Sequence, residues 1–131
     1  MGGTFFNSGS GNPGDDLTAY VIANHYGHVV DYGIWWGWQN QSQWVHLTYF
    51  PMGTPVTTTI RWDQPNHRFI ALLKVTDGPY IAGTSSYPVA DSMPSANPSK
   101  SFSATTYAPN CTVQMTTSEV EANFDNVIIN Q

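Results

Sequence analysis

Glu119-Val120-Glu121-Ala122-Asn123-Phe124-Asp125-Asn126-Val127-Ile128-Ile129-Asn130 is the stretch from which the fold is read. Polar and apolar residues alternate from Glu119 to Asp125, and the run then turns wholly apolar through Val127, Ile128 and Ile129. Successive side chains of a strand point to opposite faces, so this pattern predicts a strand with one buried face that ends by entering a core. Upstream, the same alternation returns between turn-forming residues. It predicts strands over Leu17 to Asn24, Val29 to Trp38, Trp44 to Phe50, Val56 to Trp62 and Arg68 to Val75. A short strand is expected near Tyr80, then Ser101 to Tyr107, Cys111 to Thr116 and the closing strand Glu119 to Ile129. His25 to His28 and the polar run Gln39 to Gln43 read as connections, and Asp63 to His67 closes a hairpin. Residues 1–16 are rich in Gly, Asn and Ser and end in the turn signal Asn12-Pro13-Gly14-Asp15-Asp16, with only Thr4-Phe5-Phe6 as a candidate strand. The expected organisation is a flexible segment over 1–16 and a single antiparallel β-sandwich domain over 17–131.

Composition narrows the partners. The chain has 131 residues, a net charge of -5 and 10% charged residues, against about a quarter in an average domain. Its four basic residues, Arg61, Arg68, Lys74 and Lys100, cannot build an electropositive track, so neither nucleic acid nor an anionic membrane is expected as a partner. The polar surface comes from Ser, Thr, Asn, Gln and Tyr, which suits neutral polar ligands. One cysteine, Cys111, excludes an internal disulfide framework. Met1-Gly2-Gly3 lacks the basic start and apolar stretch of a signal peptide, so either the chain stays in the cytoplasm or it was cut from a longer parent, which the composition suggests is exported or extracellular.

The ending Ala122-x-Phe124-Asp125-Asn126-Val127 resembles the last strand of concanavalin A-like (laminin-G-like) jelly-roll sandwiches. Thr57-Thr58-Thr59-Ile60-Arg61-Trp62-Asp63, with Asn66 and Arg68-Phe69-Ile70, is similar to a hairpin of those domains, and Ala108-Pro109-Asn110-Cys111-Thr112 to a recurrent lead-in. The resemblance covers roughly residues 17–130 and implies an all-β, jelly-roll-like sandwich of a superfamily that holds both lectins and glycosidases. Its retaining glucanases carry E-x-D-x-E or E-x-D-x-x-E on one strand. Here Glu119 and Glu121 are the only glutamates, with Asn123 where a further acid is wanted, so no catalytic residue and no enzyme are expected. The resemblance also implies an opening strand beside the closing one. With little ahead of Leu17, an open edge is expected to be covered by a second copy, giving a homodimer, or by a preceding domain.

The five tryptophans fall within 28 residues, from Trp35 to Trp62. In Ile34-Trp35-Trp36-Gly37-Trp38, alternation puts Ile34, Trp36 and Trp38 on one face and Trp35 and Gly37 on the other. One face can pack between sheets while the other offers indoles to the apolar faces of sugar rings, and a glycine lets a ring lie flat beside it. Trp35, Trp38, Trp44 and Tyr49 are the expected stacking residues, with Asn40, Gln41 and Gln43 supplying amide hydrogen bonds. The reading is a non-enzymatic, lectin-like module for a neutral glycan. Its alternative is a structural or protein-interaction domain whose tryptophans seal a dimer or parent-domain interface. His25-x-x-His28 diverges at a turn, so no zinc or copper site is expected. Calcium would draw on Asp15, Asp16, Asp31, Asp125 and Asn126, but no dense D-x-N-x-D loop occurs and no cofactor is expected.

Overall fold

The computed structural model describes residues 1–10, 12–88 and 100–101, all within the unit Met1–Ser101. Its strands are β1 (Gly2–Phe6), β2 (Leu17–Tyr26), β3 (Val29–Trp38), β4 (Gln41–Pro51), β5 (Val56–Asp63), β6 (Arg68–Val75), β7 (Tyr80–Ser86) and β8 (Lys100–Ser101). They pair antiparallel in two sheets, one ordered β4-β3-β2-β1-β8 and the other β5-β6-β7. Helical structure among the described residues is limited to two 3-10 turns, Pro13–Asp15 and Gln64–Asn66. The chain is thus all-β, in a sandwich-like arrangement of two antiparallel sheets. The expected strands Cys111 to Thr116 and Glu119 to Ile129, and all of Ser101 to Tyr107 but its first residue, lie outside the described residues.

The N-terminal stretch differs from its reading as a flexible segment. Gly2–Phe6 forms β1, which pairs with β2 on one side and β8 on the other. A β-bulge between Thr4 and Phe6 is the reason consecutive phenylalanines can both turn inward: Phe5 and Phe6 are each buried. Residues 7–10 and 12–16 then make a hydrogen-bonded loop at the end of the sheet. Asn7 and Asn12 accept from the backbone of Gly9 and Gly14, Asp16 accepts from Ser8, and Asp15 accepts from the Ser10 hydroxyl. Short polar side chains satisfying nearby backbone hold such a loop in shape without a core of its own. β1 thus fills the edge beside β2, while the closing strand, beside which the resemblance implies an opening strand, lies outside the described residues.

The connections are tighter than the composition suggests. β2 and β3 are joined across Gly27-His28, with Gly27 at φ 61°. Only Gln39 and Asn40 separate β3 from β4, and Gln39 takes φ 52° to make that turn. The polar run Gln41 to Gln43, read as loop, instead opens β4. As the outermost strand of its sheet, β4 can carry exposed polar side chains while its backbone pairs with β3. The hairpin of β5 and β6 spans the expected residues.

The core lies between the sheets. Leu17, Ala19 and Val21 of β2 and Ile34 and Trp36 of β3 face Phe69, Ala71 and Leu73 of β6, with Phe5 and Tyr87 among them. Phe5 meets Phe69 edge-on at 5.0 Å between ring centroids and Trp62 at 6.2 Å. Leu47 of β4 seats on Gly83 of β7. This packing fixes which face of the five-stranded sheet is left outward.

Candidate functional site

The tryptophans divide by strand parity. Trp36 is buried, and Trp38 and Trp62 pack against the core. Trp35 of β3 and Trp44 of β4, which pair directly across the two strands, lie on the outer face. Their indole N–H groups divide in the same way. Trp36 donates to the Ser85 hydroxyl at 3.0 Å and to Gln43 Oε1 at 3.3 Å. Trp38 donates to the Asp15 carbonyl at 3.1 Å, and Trp62 to the Tyr87 hydroxyl at 2.7 Å. The N–H groups of Trp35 and Trp44 have no acceptor among the described residues. Inner indoles satisfy their polar atom within the protein, whereas the outer pair has no acceptor for it among the described residues.

Two glycines set the posture of the outer rings. A Cβ on Gly37 would stand 2.5 Å from Trp35 Cη2, and one on Gly33 would overlap the Trp44 ring. Each indole therefore lies down over a glycine of β3. Tyr20 of β2, opposite Trp35 in the register, flanks it at 5.9 Å with the rings tilted by 36°. Farther along the same face the His46 ring lies 4.5 Å from that of Tyr49, and His46 Nδ1 is 2.7 Å from Asp31 Oδ1. Trp44 is 37% exposed and Tyr49 56%. The result is a low aromatic shelf with a polar pair at one end. No lysine or arginine occurs in β2, β3 or β4, so its charge comes from Asp31 and, when protonated, His46.

The other end of the shelf runs into a depression of about 350 Å³. Trp35, Gly37 and Thr18 form its floor, the β3–β4 turn one wall and the loop at Gly14 and Asp16 another. The walls are tied together, since the Gln39 N–H donates to the Gly14 carbonyl and the Trp38 indole to Asp15.

Of the residues expected at the site, Trp35, Trp44 and Tyr49 share the outer face, and Trp35, Trp38, Asn40 and Gln41 border the depression. Trp38 does so from the opposite side of the sheet, with its ring against the core. Gln43 does not join them: paired with Trp36, it points inward and its Oε1 receives the Trp36 indole N–H. Sequence alone does not single out Tyr20 or His46 for the site, and it offers Asp31 only as a calcium ligand. The pairing register across the Gly27-His28 turn, which sets Tyr20 opposite Trp35, was the signal that could have found Tyr20.

Among the described residues, no three His, Cys, Asp or Glu side chains come together as a metal site. Asp15 and Asp16 bond within their own loop, and His25 Nε2 lies 2.7 Å from the Gly27 carbonyl of its own turn. Cys111, Glu119, Glu121, Asp125 and Asn126 lie outside the described residues. Compared with known proteins, the chain matches no family model, no curated protein and no solved structure.

Proposed function

We propose that this protein is a non-enzymatic carbohydrate-binding module that takes a neutral glycan on the outer face of its five-stranded sheet. The observation that carries the reading is the division of the indoles. Three are satisfied inside, while Trp35 and Trp44 lie flat over glycines with their N–H groups unclaimed among the described residues. Flat indoles cover the apolar face of a sugar ring, and free N–H, amide and hydroxyl groups at their margins meet its hydroxyls. The lack of cations on β2 to β4 suits a ligand without charge. The jelly-roll wrap is part of the same proposal. Its support is that the chain leaves the first sheet after β4, builds β5 to β7 in the second, and returns at β8 beside β1.

A glycan array probed with the intact protein, followed by titration of tryptophan fluorescence on each hit, tests the reading. Saturable binding is expected, weakened about tenfold or more in Trp44→Ala, equivalent to about 1.4 kcal/mol. Tyr80→Ala, which removes an exposed ring from β7 of the other sheet, should leave binding unchanged. A blank array, with Trp44 and Tyr49 instead shielded in a self-associated or partner-bound state, would replace this reading with that of a protein-interaction domain.

A further inference from the structure

The shelf has one blind end. We propose that the depression beside Trp35 holds the terminal residue of the glycan, so that the module reads chain ends rather than internal segments; this rests on the carbohydrate-binding reading above. The Gln39 N–H donates to the Gly14 carbonyl and so joins the β3–β4 turn to the loop that follows β1, and the Trp38 indole ties the same loop at Asp15 from the inner side of the sheet. A chain lying on Trp35 meets the β3–β4 turn and the loop at Gly14 and Asp16 in this direction, whereas the opposite direction leads over Trp44 toward His46 and Tyr49 without a barrier of that kind among the described residues.

The depression also has the chemistry that one sugar ring needs. Its volume of about 350 Å³ lies at the low end for small-molecule sites, which favours a single ring over an extended ligand. The Trp35 ring supplies an apolar floor. Gln39, Asn40 and Gln41 border it, and their side-chain amides have no hydrogen-bond partner among the described residues. Amides both donate and accept, so they can bind hydroxyls of either role, and a terminal residue presents more free hydroxyls than an internal one.

The test uses the full chain on neutral glucans, mannans, galactans and xylans in two forms. Short oligosaccharides are attached through their reducing ends, leaving the other end free, and long or cyclic forms of the same sugars present few ends or none. The expected result is an affinity that levels off within a few residues on the short series and falls at least tenfold on cyclic forms. Asn40→Ala should lower affinity for the short series about tenfold, with far-UV circular dichroism and Tm unchanged, since Asn40 is an exposed turn residue. Equal affinity for cyclic and open forms, or affinity that keeps rising with length and ignores Asn40→Ala, would overturn the chain-end inference and leave the shelf reading intact. Absence of binding to every form would overturn both.

Discussion

A Cβ added at Gly37 would meet only the outer atoms of the Trp35 ring, whereas one at Gly33 would also press to 2.7 Å from the backbone carbonyl of Val45. The first obstacle is a side chain that can swing away; the second is the neighbouring strand. Gly37→Ala is therefore expected to tilt Trp35 off the sheet with little change in stability, while Gly33→Ala disturbs the pairing of β3 with β4 and costs about 1–3 kcal/mol. Urea denaturation of the two variants, with ligand titration of Gly37→Ala, checks both halves. A Gly37→Ala variant as destabilised as Gly33→Ala would mean that Trp35 is held rigidly from above. At this scale the sequence was legible by parity. Alternation along Ile34 to Trp38 separates Trp35 from Trp36, as the structure has it. It also assigns Trp38 inward, and placing Trp38 beside Trp35 at the site treated nearness in the chain as nearness on a face. The Asp31–His46 contact was not legible, because it depends on register across two strands and on a bulge opposite Tyr32 and Gly33.

Among the elements, the β5–β6 hairpin was the most readable and owes its shape to a small polar cluster. Asp63 ends β5, accepts from Arg68 Nε at 2.7 Å, and receives the Asn66 amide at 2.9 and 3.0 Å across the 3-10 turn. The hydrogen bond from the Arg68 guanidinium, then that from Asn66, holds the Asp63 carboxyl below its ordinary value of 3.8. A carboxyl depressed in the folded state contributes stability that is fully present above its unfolded pKa and is lost as pH falls through its folded one. Arg68→Met is expected to move the Asp63 titration back toward 3.8 and to remove that part of the acid sensitivity; carbon-detected NMR titration of the Asp63 carboxyl reads it directly. An unmoved titration would assign the shift to Asn66. The turn residues Asp63 to His67 advertised this hairpin by composition. The start of β4 was hidden for the opposite reason: Gln41, Ser42 and Gln43 have the composition of a loop, and only their place on a sheet edge makes them strand.

For the whole molecule, the decisive strand is the one the composition concealed. Gly, Asn and Ser surround Gly2–Phe6, yet β1 sits inside the larger sheet and sends Phe5 into the aromatic contacts that join the two layers. Phe5→Ala is expected to lower stability by about 3–5 kcal/mol. Chemical denaturation checks this, and a loss of less than about 1 kcal/mol would mean that β1 is held by its backbone pairing rather than by its ring. The place of β1 also bears on when the protein can become itself. Gly2 is matched with Ser101, so β1 waits for almost a hundred later residues before its second neighbour exists. Such distant pairing slows folding and prolongs the exposure of unfinished sheet. On a ribosome, β1 would emerge well ahead of β8 and have β2 to lie against in the meantime. A nascent chain halted before Lys100 leaves the exit tunnel should accordingly be open to protease along β1, and the same strand should close once β8 is released.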